Sequence, residues 1–268
     1  MKPARIGRIA ALLVAIALST SCLADKLLLW PQRSAAAPNA TLEQLHRPAG
    51  TLEIVVARSA PHREPTAFVL RFYGNGQLAN QIADEAAWFP AAAIEWWGVN
   101  YPGYGGSAGP ATLARVAEAA RDAYAALAKK ANGRPIIIIG NSMGTVAALH
   151  VAAREPVTGL VLQNPPPLAE LILRRHGWWN LWLLAVPTAA QIPESLDSID
   201  NAARVRAPAL FLSSAKDSVV PTSYQDRIMK AYGGNWEMLA MPGGHNDPRP
   251  EWVEQRIVAT ITAWIGSH

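Results

Sequence analysis

Residues 136–145, "IIIIGNSMGT", carry four isoleucines straight into a Gly-Asn-Ser-Met-Gly turn, and an apolar, helix-like stretch runs on from Met143 to Arg154. The run is too apolar for a half-exposed sheet, so it reads as a strand covered on both faces. The two glycines permit a strained strand-to-helix turn that lifts the hydroxyl of Ser142 above the sheet. The helix behind it points its positive end, with free N–H groups, at any negative charge that develops there. A bare Gly-x-Ser-x-Gly arises by chance. A buried strand before it and a helix after it are the setting in which the pattern has chemical meaning.

Outward from this turn the period alternates. "TLEIVVAR" (51–58), "TAFVLRFYG" (66–74) and "AAAIEWWGVNY" (91–101) read as strands, with a short helix around 80–88 between the last two. Between Ala111 and Ala131, Leu113, Val116, Ala120, Tyr124 and Leu127 recur at helical spacing, and Gly133 stops the helix. "TGLVLQN", "APALFLSS" and "WEMLAMP" follow as further strands, and a helix from Glu251 to about Ile265 closes the chain. Strands alternating with helices predict an α/β fold, a mostly parallel sheet flanked by helices on both faces. Residues 165–201 are longer than a crossover needs and read as an inserted cap. The expected division is a signal or anchor over 1–24, a linker and lead-in over 25–50, and the α/β domain over 51–268.

Serine at its free pKa is a poor nucleophile, so a base must take its proton and an acid must orient that base. Asp217 in "LFLSSAKDSVVP" and His245 in "LAMPGGHNDP" each follow a core strand, in the order Ser, Asp, His. Asp247, Asp200 and Asp197 are weaker alternatives for the acid, because none directly ends a core strand. Among the other histidines, His46 and His62 fall in N-terminal loops, His176 in the cap and His268 at the terminus. His150 lies eight residues along the helix from Ser142, about 12 Å away by helical rise, beyond hydrogen-bond reach. The oxyanion of an acyl-transfer reaction needs two donors, and the backbone N–H groups of Met143 and of Asn75, in the "FYGNGQ" turn, are the candidates. Trp178, Trp179 and Trp182 in the cap are candidates for an apolar acyl site or a lipid contact. This chemistry calls for no metal and no organic cofactor.

Composition narrows the partners. Half of the 268 residues are apolar and 16% are charged, which fits a folded globule. The net charge is +4, but Lys2, Arg5 and Arg8 sit in the N-terminal segment, which leaves 4 − 3 = +1 without them. No basic cluster interleaved with aromatics is present, so nucleic acid is not an expected partner. "MKPARIGRIAALLVAIALSTSCLAD" has a basic start, an apolar run from Ile9 to Leu18 and small residues up to Cys22, the form of an export signal. The apolar part is shorter than a membrane span, although extension to Ala24 allows an anchor. Cys22 is the only cysteine, so the fold has no internal disulfide. Its position resembles that of a lipidated cysteine, although Ser19 stands where such signals usually carry Leu. The expected location is the cell envelope, whether periplasmic, lipid-anchored or anchored by the N-terminus.

Five stretches together resemble the α/β-hydrolase superfamily, and within it membrane-associated or exported serine hydrolases similar to acylglycerol lipases, acyl-thioesterases and serine aminopeptidases. They are "LLLWP" (27–31), "FYGNG" (72–76), "VNYPGYGGSAG" (99–109), the "GNSMG" elbow, and "KDSVVP" with "GGHND". The resemblance implies cleavage of a carboxylic ester or thioester through an acyl-enzyme on Ser142, with His245 as base and Asp217 as orienting acid. Its substrate would be a small acyl ester or thioester, or a lipid. Two departures stand out. Tyr73 replaces the histidine usual before Gly74, which points to altered hydrogen bonds in the oxyanion loop, with lower turnover or a differently shaped pocket, and Tyr73 is a candidate substrate contact. Asn100 and Pro102 replace the acidic and arginine residues usual in the second loop. An aminopeptidase or amidase on the same fold would need a carboxylate at the mouth, for which the cap offers Glu170 and Glu194. A non-catalytic envelope binding protein would need no triad.

Overall fold

Strand alternation sorts the core into two faces of one sheet. The structure, a computed structural model, describes residues 23–33, 40–176 and 185–267. Eight strands run in the order β1-β2-β4-β3-β5-β6-β7-β8: β1 (Thr41–Leu45), β2 (Leu52–Arg58), β3 (Ala67–Phe72), β4 (Ile94–Val99), β5 (Ile136–Asn141), β6 (Gly159–Gln163), β7 (Ala209–Ser214) and β8 (Trp236–Met241). β2 pairs antiparallel with β1 and β4, and every other pairing is parallel. Phe68, Leu70 and Phe72 of β3 join Ile136 and Ile138 of β5 on one face. Ala67 and Val69 join Ile137 and Ile139 on the other. Parallel strands buried on both sides must be apolar at every position, and that is why four isoleucines stand in a row.

Helices cover both faces. On the first lie α3 (Leu113–Ala131), α4 (Met143–Ala152), α7 (Ser198–Arg204) and α8 (Thr222–Ala231). α2 (Ile82–Ala87) and α9 (Glu251–Gly266) cover the second. The Thr112 side chain caps the start of α3 by accepting from the Arg115 N–H at 3.3 Å. Left-handed Asn132 (φ 49°) ends that helix one residue before the glycine expected to do so.

Two boundaries differ from the sequence reading. The sheet begins with β1, ten residues before "TLEIVVAR", because this edge strand is half polar and carries no buried face to betray it. The lead-in is also structured: α1 (Leu23–Leu28) buries Ala24 and packs against α6 (Ala185–Ala189). The stretch expected as cap contains α5 (Leu168–His176) and α6, but Leu168 and Leu196 within it belong to the main core. Residues 1–22, with Cys22 and all but the last two residues of the expected signal or anchor, lie outside the described residues, and those last two, Leu23 and Ala24, open α1. Among the described residues, no helix is long and apolar enough to cross a membrane.

The sheet order places β3 between β4 and β5, so the chain leaves β3 to one side and returns on the other. The loops after β3 and β5 therefore splay apart above the sheet, at the switch point where α/β proteins bind ligands. Both the Asn75 turn and the Ser142 elbow are built there.

Candidate active site

The elbow is held by contacts that only glycine allows. A Cβ at Gly144 would lie 2.1 Å from the Phe72 carbonyl oxygen, and one at Gly140 would lie 2.6 Å from the Gly144 oxygen. Ser142 itself takes φ 49°, ψ −121°, a conformation that costs an L-residue energy and recurs where function over-determines the backbone. Its carbonyl accepts from the Thr145 N–H (2.9 Å) and hydroxyl (2.7 Å), and its own N–H donates to the Gln163 carbonyl at 2.8 Å.

From this turn the Ser142 hydroxyl donates to His245 Nε2 at 2.9 Å. His245 Nδ1 donates to Asp217 Oδ2 at 2.6 Å. The carboxylate is fully covered, while the imidazole keeps 9% of its surface open. An acceptor-only carboxylate at Nδ1 fixes the tautomer and leaves Nε2 free to take the serine proton. Asp217 Oδ1 is occupied by the Val219 (2.8 Å) and Val220 (2.7 Å) N–H groups, so the carboxyl cannot rotate. The structure thus brings together three side chains that are 75 and 28 residues apart in sequence.

Other expected groups lie elsewhere. Asp197 caps α7, Asp200 pairs with Arg204, and Asp247 Oδ2 accepts from the Gly244 N–H. His150 Nδ1 donates to the Ser195 carbonyl at 2.7 Å, and burial, reinforced by Arg154, lowers its pKa to about 4. Tyr73, expected at the substrate, is 2% exposed and lines no pocket at Ser142. The strand alternation sends it to the face of Val69, where its hydroxyl donates to Glu85 (3.2 Å) and the Arg71 guanidinium lies 4.2 Å over its ring. Burial drives its phenol pKa well up, and Glu85 adds to that. Trp178, Trp179 and Trp182 lie outside the described residues.

Glu85 is the hub of a network that sequence reasoning missed. Burial alone would raise its pKa, but Arg71 (2.8 Å) and Arg249 (3.1 Å) outweigh this and hold it below the ordinary glutamate value. Arg71 also donates to Asn141 Oδ1, and both Asn141 Nδ2 and the Gly74 N–H donate to Gln77 Oε1. The ion pairs thereby reach the elbow and the Gly74–Asn75 turn together. A second missed residue is Asn164, which directly follows β6 with φ 51° and 1% exposure. Its side chain exchanges hydrogen bonds with Ser214 (2.9 and 3.0 Å), tying β6 to the strand that delivers Asp217. A lone Asn before three prolines gave no sign of this.

Beside Ser142 lies a cavity of about 240 Å³ walled by Leu27, Leu28, Trp30, Met143, Leu168 and Val220. Gly74 and Asn75 border it, so the Met143 and Asn75 backbones flank the same space as Ser142. Among the described residues, no carboxylate, lysine or arginine lines it. Glu170 faces Arg227 and, with Glu194, borders a different cavity, under the cap. No cluster of side chains among the described residues could hold a metal ion.

Comparison with known proteins agrees with this architecture. Residues 63–188, just under half of the chain, match the family model "Serine aminopeptidase, S33". An uncharacterised protein of Mycobacterium tuberculosis, Rv2307c, is 31% identical over 163 residues, 59% of this chain and 55% of that one. The α/β hydrolase domain-containing protein aho-3 of Caenorhabditis elegans is 30% identical over 55% of this chain and 42% of its own. The chain thus spans about half the length of the curated relatives it matches. The Pyrococcus furiosus esterase Pf2001 superposes with a TM-score of 0.68 over 89% of this chain and 98% of that chain, at 13% identity, a likeness of fold. The chain has the α/β-hydrolase fold and is similar in sequence to α/β hydrolase domain-containing proteins.

Proposed function

We propose that the protein is a serine hydrolase acting on a carboxylic ester or thioester with an apolar acyl group. The observation that carries this is the continuous relay from Ser142 Oγ through His245 to the covered Asp217, opening onto an apolar cavity. In this reading His245 takes the Ser142 proton as the oxygen attacks the acyl carbonyl. Asp217 stabilises the imidazolium, and the N–H groups of Asn75 and Met143 hold the oxyanion. The imidazolium then protonates the leaving alcohol or thiol. Water, deprotonated by His245, adds to the acyl-enzyme, and collapse returns the proton to Ser142 and releases the acid.

An aminopeptidase reading has less support. A free α-amino group needs a counter-charge, and the described lining of the cavity offers none. We also propose that residues 1–24 direct the protein to the cell envelope, as their composition suggests.

The test is fluorophosphonate labelling of the purified protein, with the modified residue located by peptide mass spectrometry, beside turnover of p-nitrophenyl esters of graded acyl length and of aminoacyl p-nitroanilides. Label on Ser142 is expected, with ester turnover reduced about 10⁴-fold or more in Ser142→Ala and in His245→Ala. An unlabelled, folded wild-type protein would sink the reading, and faster cleavage of the anilides would move it to the peptidase.

A further inference from the structure

Asn75 is flanked by Gly74 and by Gly76, whose φ is 72°. A turn of this composition has little stiffness of its own, yet an oxyanion donor works only if it is already in place when charge develops. Its side chain supplies what its neighbours cannot. Asn75 Oδ1 accepts from the Trp30 N–H at 2.7 Å and from the Tyr104 hydroxyl at 2.9 Å. The Trp30 N–H is shared with the Tyr104 oxygen at 3.0 Å, which closes a triangle among three distant parts of the chain.

Each corner is itself fixed. Tyr104 is fully buried and packs edge-on against Tyr101, whose hydroxyl donates to the Tyr73 carbonyl at the base of the same turn. The Trp30 strand of chain is pinned on both sides: Asp25 accepts from the Leu113 N–H at 2.8 Å, and the Gln32 carbonyl accepts from the Gly105 N–H at 2.8 Å. Between these pins Leu27, Leu28 and Trp30 form one wall of the cavity at Ser142.

We propose that the Leu27–Pro31 segment and Tyr104 are a positioning device for the oxyanion site. They hold the Asn75 side chain so that its backbone N–H stays at the cavity, and the same segment walls the acyl site. The inference rests on the reading of Asn75 N–H as an oxyanion donor. Tyr104 touches no reacting atom. It acts through Asn75.

The test compares Tyr104→Phe and Asn75→Ala with Tyr232→Phe in the purified full chain. Tyr232 donates to the Ala207 carbonyl at 2.8 Å, so Tyr232→Phe removes a matched tyrosine hydroxyl away from the cavity. Two quantities are read: kcat and KM on p-nitrophenyl butyrate, and amide hydrogen exchange of the peptide spanning 72–78. Tyr104→Phe and Asn75→Ala are expected to lower kcat about 10- to 100-fold with KM within about twofold. Exchange over 72–78 should quicken in both, and Tyr232→Phe should change neither quantity. Unchanged exchange in Tyr104→Phe overturns the device, whatever the turnover. Faster exchange with unchanged kcat overturns its part in catalysis. If the wild type turns over no ester and yet exchange quickens, the anchoring of the turn stands and the hydrolase reading falls.

Discussion

At the scale of the residue, Gly144 shows how little freedom the elbow leaves. The atom that a Cβ would strike belongs to the backbone of β3, which cannot swing aside as a side chain would. Gly144→Ala is therefore expected to lower the unfolding free energy by about 3 kcal/mol, read as a lower urea midpoint, with loss of Ser142 labelling in whatever folds. Gly133 is the contrast: nothing lies within 4 Å of its missing Cβ, and only its φ of 85° asks for glycine. Such differences explain what could be read in advance. The elbow was legible because a strained turn needs glycines at fixed offsets from one serine. Asp217 and His245 were legible because each follows a strand apolar enough to be recognised. Tyr73 was misplaced, since its substitution in a familiar pattern drew attention to the cavity while the strand period turned its ring the other way. Asn164 and Glu85 left no trace, because a buried polar residue is recognised only by partners brought from elsewhere in the chain.

Among the elements, the central strands and long helices announced themselves by their periods, whereas β1 and α1 did not. An edge strand with alternating polar residues buries too little to stand out, and a six-residue helix has too few turns to show a face. α4 carries a prediction of its own. It holds His150 neutral against the 194–196 turn, with a folded pKa near 4, below the ordinary value of 6.5. A depressed histidine adds stability above the unfolded value, and the folded protein loses that contribution as the pH falls from about 6.5 towards 4, because the unfolded chain takes up the proton first. His150→Gln should flatten the melting temperature against pH in that window, and a slope as steep as that of the wild type would contradict the assignment.

For the whole molecule, the Arg71–Glu85–Arg249 network joins β3, α2 and the loop that presents His245. Removing one partner of a buried pair leaves the others uncompensated, so Glu85→Gln should cost about 3 kcal/mol at neutral pH. The sign with pH follows from the lowered glutamate pKa. The contribution is complete above the unfolded value near 4.5 and disappears as the pH falls through the lower folded value. Chemical denaturation of the wild type and Glu85→Gln between pH 3 and 7 should converge at the acid end, and parallel curves would refute this.

The wall formed by Leu27, Leu28 and Trp30 belongs to no strand of the sheet and precedes all of them in the chain. This one wall of the cavity and the Ser142 elbow are therefore encoded in separate places. Leu27 and Leu28 can be exchanged to reshape that wall while the elbow, Asp217 and His245 stay as they are, and the link from this segment to Asn75 runs through the Trp30 backbone N–H, which a change of side chain leaves in place.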